Sequence, residues 1–185
     1  MGRSRRRSPE VRAGEDERLM GVALALAEEG LAADEQPIGA VVALGGEVVA
    51  SARWQQRPGR LLDHAEVVAL RAAEGDSRLG GRRAQATLYT TLEPCVMCMG
   101  SAMSFLAGRV VYALEAPADG ASEIPALWRP DLGHPPDEYR VYGVPEVVGG
   151  VCREASLALA VAFAERHPEL RWAQAFVPGF RYSYY

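Results

Sequence analysis

Two short stretches hold residues whose types and spacing could do chemistry together: His64-Ala65-Glu66, and Pro94-Cys95-Val96-Met97-Cys98 about thirty residues later. Imidazole and thiolate are zinc ligands, and a catalytic zinc site takes three protein ligands and keeps a fourth position for water. Cys95 and Cys98 are one helical turn apart, so on a helix both sulfurs face one point. At a helix N-terminus the dipole and the free N–H groups also favour thiolates. His64 would complete the set, and zinc bound there would lower the pKa of its water towards neutrality. Glu66 stands too near His64 in sequence to be an easy fourth ligand. It is placed instead to move a proton from water to a ring nitrogen and then to a leaving amine. A nucleophile and a proton shuttle are what attack on an amidine-like ring carbon requires. A closed zinc site that only holds the fold would need a fourth ligand, and Cys152, His134 and His167 sit in no ligand spacing. Cys152 reads as a small buried apolar residue, His134 as a surface-loop residue and His167 as a charge at a helix C-terminus.

Both stretches need elements that bring them to one place. Residues 15–30 carry Leu19, Val22 and Leu26 on one helical stripe, with Gly30 as a stop signal. Residues 38–44 read as a buried strand, Gly45-Gly46 as a tight hairpin turn and residues 47–53 as its partner. Asp63 is expected to cap a helix over 64–74, and Pro94 to open one over 95–106 that Gly108 ends. Strands are expected at 86–92, at 109–114 and somewhere within 139–151. Residues 115–139, rich in Pro, Gly and Asp, read as loop with at most one short helix. A helix over 153–165 is apolar from Leu157 to Ala164 and is expected to be buried. An opening hairpin followed by strand–helix alternation predicts an α/β fold of three layers, α/β/α, around a central mixed sheet. Both motifs fall at strand-to-helix junctions, where ligands of such sheets gather.

The bulk composition narrows the class. At 185 residues, 49% hydrophobic and 24% charged, the chain suits one soluble domain over 13–185, and no apolar run reaches the roughly 20 residues of a membrane span. Residues 1–12 hold five Arg and one Glu with no apolar stretch behind them, so they read as a disordered basic tail rather than a secretory signal. Position 6 is Arg where a myristoylation motif wants Ser or Thr. The remaining residues carry fifteen Arg against 23 Asp and Glu, a net −8, a poor footprint for a polyanion. Three Cys, two of them in one Cys-x-x-Cys, argue for a metal site in a reducing compartment, and the expected location is the cytoplasm.

With His64-Ala65-Glu66 and Leu92-Glu93-Pro94-Cys95-Val96-Met97-Cys98-Met99-Gly100 in view, the chain resembles the cytidine deaminase superfamily, whose H-x-E…P-C-x-x-C signature these stretches match. Within it, the chain is similar to the branch of bacterial tRNA adenosine deaminases and guanine deaminases. The likeness runs over about 13–165 and includes Pro37-Ile38-Gly39-Ala40-Val41-Val42 and Gly108-Arg109-Val110-Val111-Tyr112. The resemblance implies a five-stranded sheet, zinc on His64, Cys95 and Cys98, Glu66 as proton shuttle, and a homodimer. It points to substrate contacts at Ile38, Gly39, Ala40, Trp54, Gln55, Gln56, Asp63, Ala65, Glu93 and Pro94. The activity expected is zinc-dependent hydrolytic release of ammonia from an amino-substituted nucleobase, nucleoside or related small heterocycle. The alternatives are adenosine-to-inosine conversion at the tRNA wobble position and a non-catalytic zinc-stabilised dimerisation module. Members of the branch usually carry an Asn on the loop before the His; this chain has no Asn, and Gln55 or Gln56 falls near that place. Trp54 is either a base-stacking wall or a strand-end anchor. The closing Phe180-Arg181-Tyr182-Ser183-Tyr184-Tyr185 either folds over a pocket or is a frayed end or dimer contact.

Overall fold

The computed structural model describes residues 9–127 and 142–179. Five strands form one sheet in the order β2-β1-β3-β4-β5. β1 (Gly39–Leu44) pairs antiparallel with both β2 (Glu47–Arg53) and β3 (Ala86–Leu92). β3 pairs parallel with β4 (Arg109–Leu114), which pairs parallel with β5 (Glu146–Val148). The β1–β2 turn is Gly45-Gly46 with φ of 66° and 92°, the double positive φ that matches the twist of the paired strands and that glycine adopts without a Cβ penalty.

Side-chain alternation along the strands builds two cores. Ala40, Val42, Leu44, Leu88 and Val110 point to one face and meet helices α2 (Ala65–Ala73) and α3 (Val96–Ser104). Val41, Ala43, Tyr89, Val111 and Ala113 point to the other and meet α1 (Pro9–Ala32), with side chains of α5 (Arg153–Arg166) beside it. The result is the mixed five-stranded, three-layer α/β/α arrangement that the strand–helix alternation predicts. A short α4 (Ile124–Leu127) follows β4, and α6 (Arg171–Gln174) packs against the end of α5. No described helix is long and apolar enough to cross a membrane.

Several expected boundaries shift for physical reasons. Pro9 to Arg12, assigned to the basic tail, form the first turn of α1, where Pro suits the first helical position and Arg12 pairs with Glu146 at 2.7 Å. α1 also passes Gly30 and ends at Ala32, with Asp34 at φ 60°. Asp63 is not a helix cap: His64 occupies the N-cap of α2, while the Asp63 carboxylate accepts from Arg71 and Arg60. Along α5 only Ser156, Phe163 and Ala164 are buried, and Ala158 is exposed. Its apolar run is Ala-rich, and Ala reports helix propensity as much as burial. Cys152 is half-buried in left-handed backbone at φ 57° just before α5. His134 and residues 180–185 lie outside the described residues.

One polar knot ties α1 to the sheet. Asp16 is buried, accepts from the Tyr89 hydroxyl at 2.8 Å, and takes two hydrogen bonds from Arg109 at 2.7 and 2.9 Å. Burial, then the hydrogen bond to Asp16, raises the Tyr89 phenol above its usual range. Removing one partner of such a pair leaves the other charge buried and uncompensated. Asp16→Ala is therefore expected to destabilise the fold by about 3–5 kcal/mol. Tyr89→Phe, which removes one neutral donor, should cost about 1 kcal/mol. Urea unfolding of the two variants measures both.

Candidate active site

The site sits at the C-terminal end of β3. After Leu92 the chain passes Glu93 and Pro94 and places Cys95 at the N-cap of α3, with Cys98 in its first turn. His64 stands at the N-cap of α2, which lies on the same face of the sheet. The three ligand atoms form a triangle: Cys95 Sγ to Cys98 Sγ is 3.6 Å, and His64 Nδ1 is 3.7 Å from Cys95 Sγ and 3.5 Å from Cys98 Sγ. Zinc–sulfur and zinc–nitrogen bonds of about 2.3 and 2.0 Å at tetrahedral angles require edges of roughly 3.8 Å for S···S and 3.5 Å for N···S. The triangle matches one face of that tetrahedron. Among the described residues, His64, Cys95 and Cys98 are the His, Cys, Asp and Glu group that fits a metal ion; Cys152 and His167 do not join it. His167 closes α5, with Nε2 3.1 Å from Asp34 and Nδ1 3.3 Å from Glu169.

The three side chains perturb one another's proton affinity. Hydrogen bonds from Cys98 and then His64 pull the Cys95 thiol down to about 3. The same sulfur raises the His64 imidazole above its usual range. Cys98, donor to Cys95 and buried, is raised. A divalent cation would bind here by displacing the ligand protons.

Glu66 lies on the buried stripe of α2 with Ala65, Ala69, Leu70 and Ala73. Burial pushes its carboxyl up, and the Thr90 hydroxyl donates to its Oε1 at 3.3 Å. Glu66, His64 and Cys95 open onto one cavity of about 900 Å³. The next strand position, Thr91, donates to the Pro37 carbonyl and accepts from Gly39 N at 3.1 Å, which fixes the start of β1 beside the site.

Of the substrate contacts expected, Ile38, Trp54, Gln55, Gln56 and Glu93 line this cavity. Gly39, Ala40, Asp63, Ala65 and Pro94 are not among its lining residues. Gly39 is pressed against α1, where a Cβ would lie 2.0 Å from the Ala23 carbonyl oxygen, and Ala40 and Ala65 are fully buried in the core. The cavity also has walls that the motifs did not mark. Glu35 and Gln36 close one side, Ala116 to Asp119 another, and Phe163, His167, Trp172 and Phe176 a third. Partial burial and the Cys95 sulfur raise the Asp119 carboxyl. Its only signal in sequence is a position in a Pro- and Gly-rich segment.

Fold and site together define an α/β protein with a His/Cys/Cys group placed for a metal ion and a buried carboxylate beside it. Residues 13–114 match the cytidine and deoxycytidylate deaminase zinc-binding region, and the chain belongs to that family. It is 32% identical over 173 residues to the tRNA-specific adenosine deaminase of Haemophilus influenzae, covering 90% of this chain and 94% of that protein. It is 39% identical over 153 residues to the tRNA(Ile)-lysidine synthase of Deinococcus deserti. That match takes in 79% of this chain but 26% of the relative, so the chain spans about a quarter of that protein's length. The solved guanine deaminase from Nitrosomonas europaea superimposes with a TM-score of 0.58 at 27% identity, covering 82% of this chain and 84% of that one. Protein purified without chelators is expected to carry about one zinc per chain, and Cys95→Ala or His64→Ala to lose most of it, as metal analysis would show.

Proposed function

We propose that the protein is a zinc-dependent hydrolytic deaminase that releases ammonia from an amino-substituted nucleobase, nucleoside or related small heterocycle. The observation that carries this reading is a three-ligand tetrahedral face, rather than a closed four-ligand set, with the Glu66 carboxyl opening onto the same cavity. Zinc bound there supplies Lewis acidity and makes water a nucleophile near neutral pH. Glu66 receives the proton that the attacking water gives up and delivers it to the ring nitrogen; it then carries the proton of the added hydroxyl to the amine, which leaves as ammonia. The ring C–N bond to the amine breaks and a C=O bond replaces it. The Thr90 hydroxyl holds one Glu66 oxygen and so orients the carboxyl. Asp34, Glu35, Asp119 and Glu169 line the cavity beside Arg57, Arg60 and His167, a balance that favours a neutral substrate over a polyanion. Trp54 offers a ring face for a flat heterocycle, and Gln55 and Gln56 offer amides for its edge.

A second reading is adenosine-to-inosine conversion in tRNA. It is favoured by the likeness to the Haemophilus influenzae tRNA-specific adenosine deaminase over nearly the whole of both chains. It is also favoured by Arg57, Arg60 and Arg71, which converge on the single carboxylate of Asp63 near the cavity mouth. On either reading the protein acts as one domain that starts with α1 at Pro9, as a homodimer and in the cytoplasm; Cys usage and the family resemblance support this.

Incubation with a panel of bases and nucleosides, and separately with an anticodon stem-loop, separates the readings by ammonia release. Turnover of at least one small heterocycle is expected, and turnover of the stem-loop alone would replace the first reading by the second. Glu66→Gln should retain zinc and lower kcat by about 10²–10⁴-fold; full activity in that variant would overturn the mechanism.

A further inference from the structure

The carboxylate of Glu93 reaches into the loop that follows β4. Its Oε2 accepts from Ala116 N at 3.0 Å and its Oε1 accepts from Ser122 N at 3.0 Å. Both oxygens are thus engaged by the two ends of one seven-residue loop, 116–122. The main chain beside Glu93 adds to the attachment. Glu93 N donates to Leu114 O at 2.7 Å, Ala121 N donates to Pro94 O at 3.0 Å, and Cys95 and Gly120 form an antiparallel bridge. Gly120 fits this attachment, because a Cβ there would lie 2.3 Å from Glu93 Oε2 and 2.7 Å from Oε1. The loop side chains are small, and Ala116, Pro117, Ala118 and Asp119 face the same cavity as His64, Glu66 and Cys95.

We infer that Glu93 is a positioning residue: its carboxylate clamps the 116–122 loop to the segment that carries Cys95, and so fixes the cavity wall over the metal position. The sequence places Glu93 among the substrate contacts. Its oxygens are instead committed to two backbone N–H groups, and what it contributes to the substrate is the placement of Ala118 and Asp119. A carboxylate is the side chain for this task, since it offers acceptors on both oxygens and its charge strengthens both bonds. The amide of Gln keeps one acceptor and turns an N–H towards the second donor. The metal ligands and the wall are thereby one mechanical unit, although about twenty residues of sequence separate Cys95 from the loop. The role of the wall rests on the deaminase reading; the clamp itself does not.

The test uses the full zinc-loaded chain. In Glu93→Gln, amide hydrogen exchange at Ala116 and Ser122 should rise by about tenfold or more while the core amides of β3 and β4 are unchanged, since local opening need not involve the global unit. Zinc should stay near one per chain. Gly120→Ala, which displaces the carboxylate, should loosen the same two amides. In a Glu93→Ala background, where the space is vacant, it should add nothing, and this non-additivity marks direct contact. With guanine, cytidine and adenosine as probes, KM for whichever is turned over should rise by about fivefold or more and kcat should change less than about threefold, the pattern of lost ground-state positioning. Unchanged exchange at Ala116 and Ser122 would overturn the proposal. So would exchange that rises equally across the sheet, zinc loss that accompanies it, additive effects of the two substitutions, or a kcat that falls with KM fixed. If none of the probes releases ammonia in the wild-type protein, the deaminase reading is what fails, and exchange and zinc content still decide the clamp.

Discussion

His64, Cys95 and Cys98 close to within 3.7 Å of one another only because two helices begin beside the C-terminal end of the central strand. β3 delivers Cys95 to the start of α3, and the loop after β2 delivers His64 to the start of α2. On the face they share, Ala65, Ala69 and Ala73 of α2 and Ala102 of α3 are all buried, and small side chains at the contact set how near two helices approach. One helical turn then places Cys98 beside Cys95, and the buried stripe of α2 points Glu66 the same way. Thr90, fully buried at the end of β3, meets that carboxyl from the sheet side. The site is thus the meeting of two helix N-termini over one strand end.

The opposite face of the sheet is held by a different kind of force. α1 brings Leu19, Met20 and Ala23 onto Val41, Tyr89 and Val111, but apolar contact alone tolerates sliding. Asp16 removes that freedom, because only one placement gives its carboxylate both the Tyr89 hydroxyl and the Arg109 fork. Arg109 also approaches Glu146, whose second partner is Arg12, so α1, β3, β4 and β5 meet in one chain of charges. Replacement by apolar groups would cost the fold little on energetic grounds. What the pairs supply is a fixed seat for α1, against which Gly39 and the start of β1 are packed at the cavity side.

The metal triangle and the order of the elements were legible in the sequence because each is local. A strand that alternates, a glycine pair in a turn, and ligands one helical turn apart all follow from fixed backbone periods. The hairpin at Gly45-Gly46 and the register of Leu88 and Tyr89 to opposite faces are of this kind. The failures were long-range. Asp63 reads as a helix cap from its neighbours, yet its charge is spent on Arg71, eight residues on, and on Arg60. Leu157 to Ala164 reads as buried, yet the run lies on an outer layer with one side to solvent. Glu93 lines the cavity, but the partners of its carboxylate lie 23 and 29 residues downstream, where no local pattern shows them.

The same distinction explains why the motifs speak to the reaction more than to the substrate. The metal triangle and the carboxylate beside it need a few atoms at fixed separations, and two short stretches of backbone provide them. The cavity is walled by the end of α1, the loop after β2, the loop after β4 and the α5–α6 corner, four segments that share no period. Their union has a readable character all the same. Trp54, Phe163, Trp172 and Phe176 provide flat apolar surface, and most of the charged groups around them are carboxylates. Several of these carboxylates are already engaged, Glu35 by Arg53, Asp34 and Glu169 by His167, and Glu93 by Ala116 N and Ser122 N. A sequence period records none of these pairings, which is why the motifs leave the cavity walls unread.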